Sequence, residues 1–331
     1  MELKIYHNGR EFDVSNMCEG DITLTSEKTG MPSSLKFNVL RELCEDGFSF
    51  LEGDMVTLRL GQTDMFKGYV FSKGRNKLQN ISVVCYDQLR YLKNKDTYKY
   101  SALSADRLIL QIARDYNLET GYLEAMGQVF SRIEEGQTLF DIINNNISLA
   151  TNMTGRKYVF YDDFGRLTLK SLDKMYLPFM LAREDSAVVD FNYKTDIDSD
   201  TCNAVMLYFS DKRSGRELSY ETGDSKNQKS WGILKFYKSL TSNEAKQGYM
   251  EYAESILKEK NRVKKHLAIE CLVSEGEENI RAGNVIFCRL EDLAEISVNS
   301  WLVIEKCTHK IRNGEHIVRL EFSDMGGEGN G

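Results

Sequence analysis

Proline is almost missing from this 331-residue chain. Only Pro32 and Pro178 occur, which excludes a proline-rich linker and leaves domain boundaries to be read from changes of pattern. Histidine is nearly as scarce, with only His7, His266, His309 and His316, and no H-E-x-x-H is written. There is no Walker A loop, no G-x-G-x-x-G and no G-x-S-x-G elbow. The seven cysteines (Cys18, Cys44, Cys85, Cys202, Cys271, Cys288, Cys307) form no C-x-x-C, so neither a zinc ribbon nor a redox dithiol is encoded. An odd number of well-separated cysteines, several in strand-like runs, reads as free buried thiols in a reducing compartment. No stretch approaches the roughly 20 apolar residues of a membrane helix, so no membrane insertion is expected. The opening MELKIYHNGREF lacks the apolar run of a secretory signal. A net charge of −7 argues against a general nucleic-acid binder, which carries a basic face.

What is present is a folded, strand-rich chain. Hydrophobic residues make up 41% and charged residues 28%, too apolar for disorder and long enough for two or three domains. Residues 1–98 read as antiparallel strands. Val56, Leu58 and Leu60 alternate with Met55, Thr57 and Arg59, the period of a half-buried strand. Gly61 to Asp64 makes a turn, Phe66 to Phe71 returns, Gly74 to Asn80 turns again, and Ile81 to Tyr86 is the next strand. Residues 99–183 change to helical period. Ser104 is placed to cap a helix whose face is Leu108, Ile109, Ile112, Ala113 and Tyr116, with Asp106 in its first turn. Thr138-x-x-Asp141 resembles a capping box ahead of Phe140, Ile143 and Ile147. Two strands, Lys157 to Tyr161 and Arg166 to Lys170, follow around the turn Asp162 to Gly165.

Residues 184–325 return to strands, with candidates at 187–193, 203–210, 216–221, 232–238, 266–273, 284–290, 301–308 and 315–322. The clearest turn is Asn313-Gly314, which favours positive φ at both central positions of a hairpin. One helix near 243–265 interrupts the strands, with Tyr249, Tyr252, Ala253 and Ile256 on its buried stripe. The glycine-rich end, 326–331, reads as a flexible tail.

Motifs that hint at chemistry are better explained structurally. Asp163-Phe-Gly165 copies a kinase tripeptide but sits in a hairpin turn. Asp196, Asp198 and Asp200 open like a calcium loop, but Thr201 and Leu207 stand where that loop needs glycine and glutamate. Asp162 and Asp163, adjacent in a tight turn, should point apart and stay wet, unlike a glycosidase pair. His309 and His316 flank one hairpin and read as a cross-strand surface pair, since a metal would need further ligands. The basic run Arg262 to Lys265 is expected at a helix C-terminus, where the dipole favours it. Trp231 and Trp301, in or beside strand candidates, are expected in the core. No catalytic, cofactor-binding or metal-ligating residue is assigned.

Several longer stretches carry a resemblance. Glu52 to Leu58, Phe66 to Val70, Val83 to Asp96, Lys157 to Leu169, Tyr193 to Asn203, Trp231 to Tyr237, Arg281 to Gly283 and Val303 to Lys306 are similar to the XkdQ/YqbQ family. Those are baseplate hub proteins of contractile phage tails and tail-like particles, and they resemble myovirus baseplate hubs. The likeness spans roughly residues 50–320 and is most specific from Tyr86 to Asp96. It implies an α+β, mostly β fold, with two tail-tube-like antiparallel β-barrel domains (1–98 and 184–325) and an intervening small α+β module (99–183). It implies a homotrimer presenting six similar barrels, joining a sixfold tail tube to a threefold central spike. Implied partners are further copies of the chain, the tail tube protein, the spike protein and other baseplate proteins of wedge or LysM type. DNA could pass the lumen without specific binding. The implied location is the virion or tail-like particle, assembled in the bacterial host cytoplasm. Such a role needs no enzyme and no cofactor. The rivals from the residues are a tail-associated cell-wall hydrolase and a carbohydrate-binding adhesin.

Overall fold

A computed structural model describes residues 1–28, 30–44, 47–77, 80–182, 188–211, 215–240, 245, 248–274, 276–293, 296–312 and 314–323. The chain divides into two compact units. The first comprises Met1–Asn192 and Ala268–Phe322; the second is built on Tyr193–Leu267.

Alternation makes the main sheet of the first unit. In Ser34–Val39, Leu35, Phe37 and Val39 are buried while Lys36 and Asn38 are exposed. Leu3 and Ile5 do the same in Glu2–His7, and Val56, Leu58 and Leu60 in Met55–Leu60. A one-residue slip would put each set into water, so one-sided burial fixes register. The strands order as Arg10–Asp13, Glu2–His7, Met55–Leu60, Thr63–Arg75, Ile81–Tyr86, Ser34–Val39, Cys18–Glu27, Lys306–Arg312 and Glu315–Ser323. Each of these neighbouring pairs is antiparallel. Leu60 pairs with Thr63 around a two-residue turn in which Gly61 has φ +56°.

The C-terminal hairpin is the main departure from the pattern read along the chain. The candidate strand 301–308 is broken at Ile304 and Glu305 into the ends of two strands, Ile296–Val303 and Lys306–Arg312. The second of these pairs with the N-terminal Cys18–Glu27, His309 opposite Leu24 and Ile311 opposite Ile22. Ile311 thereby joins the core formed by Leu3, Ile5, Ile22, Leu35, Phe37 and Leu58. Asn313 lies outside the described residues, as does the tail 326–331; the strands flanking Asn313 pair with Arg312 opposite Glu315. Among the described residues no strand pairing closes a sheet on itself, so the two tube-like barrels are not seen as closed ladders.

The segment 99–183 contains two helices. Leu108, Ile109, Ile112 and Ala113 of Ala105–Asp115 are buried against Phe140, Ile143 and Ile147 of Leu139–Thr154. Thr138 Oγ1 accepts the Asp141 amide at 3.1 Å, the cap read from the sequence. Ser104 makes no such bond, and Asp106 accepts the Met126 amide at 3.0 Å instead. Replacing Thr138 by alanine removes one cap bond and should lower stability by about 1 kcal/mol in urea denaturation. The strands Tyr158–Asp162 and Leu167–Ser171 pair as expected, with Thr120–Leu123 added in parallel.

In the second unit, Ala204–Asp211 pairs antiparallel with Arg216–Gly223 and parallel with Lys235–Ser239. The helix Tyr249–Lys260 buries Ala253 and Ile256 against Val205, Leu207 and Phe209. Residues 243, 244, 246 and 247 of the expected helix lie outside the described residues. Tyr252 is not on the buried stripe; it is 40% exposed, and Lys238 lies over its ring at 4.9 Å. The strand expected from 232 starts at Lys235, because Ser225–Trp231 forms a short helix. Asp224 caps it, accepting the Lys226 and Asn227 amides, and Gly232 at φ +78° stops it. Trp231 therefore ends a helix, half-buried, rather than filling a core. Lys264 and Lys265 lie in the strand Lys264–Leu272, and the helix dipole is met instead by Lys258 and Lys260.

Candidate assembly surface

Trp301 is where the expected core residue turns out to be a surface one. It lies on Ile296–Val303, which pairs antiparallel with Val285–Leu293; that strand also pairs, in parallel, with Tyr176–Ala182. Register puts Trp301 opposite Phe287, and Phe287 beside Met180. The Trp301 ring packs edge-on against Tyr176 at 4.8 Å and Phe287 at 5.2 Å. Yet Trp301 is 50% exposed, Tyr176 51% and Met180 46%. Val285, Ile286, Cys288, Leu290 and Leu302 already supply the buried side chains. The aromatic group is therefore surplus to the core, and among the described residues the two outer strands of its sheet pair on one edge only. Sequence pattern hid this strand: Tyr176-Leu-Pro-Phe-Met-Leu-Ala182 does not alternate, and Pro178 demotes it to an edge, where the structure places it.

The same unit holds a charge cluster, largely buried, assembled from three distant stretches. Asp87, at the start of Gln88–Lys93, accepts the Leu89 amide at 3.0 Å and the Ser33 amide at 2.9 Å. Asp162, expected to be wet, is 4% exposed and accepts the Gly165 amide at 2.6 Å. Arg281 stands over the Tyr161 ring at 4.0 Å and donates to the Asp162 carbonyl at 2.6 Å. Its other arm reaches Asp163, exposed, at 3.7 Å. Burial pushes Asp162 up to about 6, opposed by the Gly165 amide and by Arg281. Burial and then the neighbouring Asp162 raise Asp87 well above the usual carboxylate range. The acid turn that suggested a hydrolase is thus a structural clamp, with Asp162 closed off from solvent.

His309 and His316 do form the cross-strand pair, but not a surface one. His309 is 2% exposed and stacks on His316 with ring centroids 5.1 Å apart. His309 Nε2 lies 2.8 Å from the Ile280 carbonyl, which can only accept, so Nε2 carries the proton. Nδ1 then accepts from His316 Nε2 at 2.8 Å. Burial, then His316, lowers His309 to about 3, and burial lowers His316. A histidine depressed in the folded state contributes full stability above its unfolded value and loses it as pH falls. Unfolding free energy should therefore drop as pH falls from about 6.5, by at most about 1.4 kcal/mol per pH unit for one group. Asp162, raised to about 6, and Asp87, raised well above the usual carboxylate range, work in the opposite sense as pH falls. His309→Gln should flatten the acid limb of urea midpoints taken from pH 7.5 to 4.5; an unchanged limb would contradict this assignment.

The remaining candidates are held in local structure. In the second unit Asp196 accepts the Ser199 amide at 2.8 Å and lies 3.1 Å from Lys194 and 3.2 Å from His266. The Ser199 amide and Lys194 hold its carboxyl well below the usual range, as a turn cap rather than a calcium ligand. Cys85, Cys202, Cys271, Cys288 and Cys307 are buried, and all seven cysteines are free thiols. Among the described residues no group of three or more His, Cys, Asp or Glu is placed to hold a metal ion.

A family profile described as YQBQ-like matches residues 22–323. The phage-like element PBSX protein XkdQ of Bacillus subtilis is 24% identical over 306 residues, covering 91% of this chain and 90% of that protein. Among solved structures, a 43 kDa tail protein of prophage MuSo2 from Shewanella oneidensis superposes with a TM-score of 0.70 at 12% identity. The match covers 97% of this chain and 98% of that one. A tail protein from Neisseria meningitidis gives 0.66 at 14% identity, covering 98% and 97%. At such identities these two structures speak for a shared fold.

Proposed function

This chain belongs to the YqbQ-like family, and from that premise we propose that it is a structural baseplate hub protein of a contractile tail or tail-like particle. It acts as a homotrimer whose ring joins the sixfold tail tube to the threefold central spike. Its neighbours are the tube protein, the spike protein and other baseplate proteins. It works through surfaces and turns over no substrate. The family match and the tail-protein fold support this reading, and the observation that carries it is the exposed Tyr176 and Trp301, packed on Phe287. A ring closes through heterologous contacts, one face against a different face of the next copy. Large, half-exposed aromatic side chains beside strand edges suit such a contact, because covering them removes apolar surface from water. The acidic balance of −7 suits a lumen that passes DNA without holding it.

The test uses light scattering on the purified chain alone and mixed with its tube and spike proteins, beside a Trp301→Arg variant. Wild type should form a threefold species, alone or in the mixture. Trp301→Arg should stay monomeric in both, with unchanged circular dichroism, because the side chain is not in the core. A folded variant that still trimerises would remove this face from the contact.

A further inference from the structure

A cavity of about 430 Å³ opens in the first unit, lined among others by Lys67, Tyr69, Tyr91, Asn117, Leu118 and Glu119. Its size falls in the roughly 300–1,000 Å³ range of small-molecule sites. Tyr69 comes from the main sheet and Tyr91 from Gln88–Lys93; their rings meet edge-on at 6.0 Å, and Phe71 backs Tyr91 at 5.8 Å. Asn117 and Glu119 come from the connection after Ala105–Asp115. That connection is fixed by Gln88, whose side chain bonds both the amide and the carbonyl of Glu119, at 3.1 and 3.0 Å.

Five polar groups at this cavity are free. Among the described residues, neither the Tyr69 and Tyr91 hydroxyls, nor the Lys67 ammonium, the Asn117 amide or the Glu119 carboxylate, has a hydrogen-bond or ion-pair partner within the protein. Burial raises both phenols, so they stay protonated donors. The charges decide the ligand class. Glu119 with Asp162 close to Tyr69 disfavours an anion, and Lys67 disfavours a cation. A neutral ligand that both donates and accepts, and that lays a C–H face on an aromatic ring, satisfies all five groups.

We propose that this cavity binds a neutral saccharide, with Tyr69 and Tyr91 supplying ring faces and hydroxyls, and Asn117, Glu119 and Lys67 bonding its hydroxyl groups. This goes beyond the hub reading and does not depend on it. Calorimetric titration of the full chain with N,N′-diacetylchitobiose, and separately with maltose, tests it. At least one disaccharide should bind with millimolar or tighter affinity, and Tyr91→Phe and Glu119→Gln should each weaken binding about tenfold while leaving the urea midpoint unchanged. No heat with either sugar, or binding that neither variant alters, would overturn the proposal. Loss of tail assembly in Tyr91→Phe without sugar binding would give the cavity to a protein neighbour and overturn it equally.

Discussion

Replacing Arg281 by alanine should destabilise the first unit by about 3 kcal/mol, because it strips a mostly buried cation from a site holding two buried carboxylates. Arg281 bonds the Asp162 carbonyl at 2.6 Å, covers the Tyr161 ring and lowers both Asp162 and Asp87 towards ionisation. Without it, both acids would take up protons or drag in water, and the Tyr161 face would be bared. Lysine should rescue little, since a point charge cannot stack on the ring and bond the carbonyl together. The sharper test is the cycle with Asp162→Asn. The asparagine still accepts the Gly165 amide but carries no charge, so the pair Arg281→Ala/Asp162→Asn should lose less than the sum of the singles. Strict additivity, or an Arg281→Ala cost below about 1 kcal/mol, would show that the guanidinium is not what balances this cluster.

Gly283→Ala should be nearly as damaging, and for separable reasons. Gly283 has φ +90°, and a Cβ there would clash with Val159 Cγ1. Gly276 has φ +91° with nothing within 4 Å of the same added atom. Alanine at 276 therefore reports the backbone cost alone, about 1–2 kcal/mol. Alanine at 283 adds overpacking of about 1–3 kcal/mol against the strand Tyr158–Asp162. Urea midpoints of the two variants give the difference directly. Equal losses would mean that Val159 moves aside at no cost.

These residues show what the sequence disclosed and what it withheld. Local period was legible: Val56, Leu58 and Leu60 turn inward, and Leu108, Ile109 and Ile112 share a helix face, as read. The Thr138 cap was legible because its partner is three residues away. Long-range assembly was not. Nothing in the period of Lys306–Arg312 says that it pairs with Cys18–Glu27, because alternation defines a face and not a neighbour. Asp162 looked solvated because turn composition reads as wet, and its partner Arg281 lies more than a hundred residues away in sequence. Yet Asp87, Asp162 and Arg281 each lie in a stretch that carries the family resemblance. The Tyr176–Phe287–Trp301 surface had no such sign. Trp301 in a strand reads as core, and only the structure shows that Val285, Ile286 and Leu302 leave it outside.

Cryo-electron microscopy of the assembled particle tests the central claim most directly. The account predicts three copies of this chain in a closed ring where the tail tube meets the spike, with the Trp301 face covered by the next copy. Particles that complete their tube–spike junction without this chain, or that carry it singly at the periphery, would contradict it.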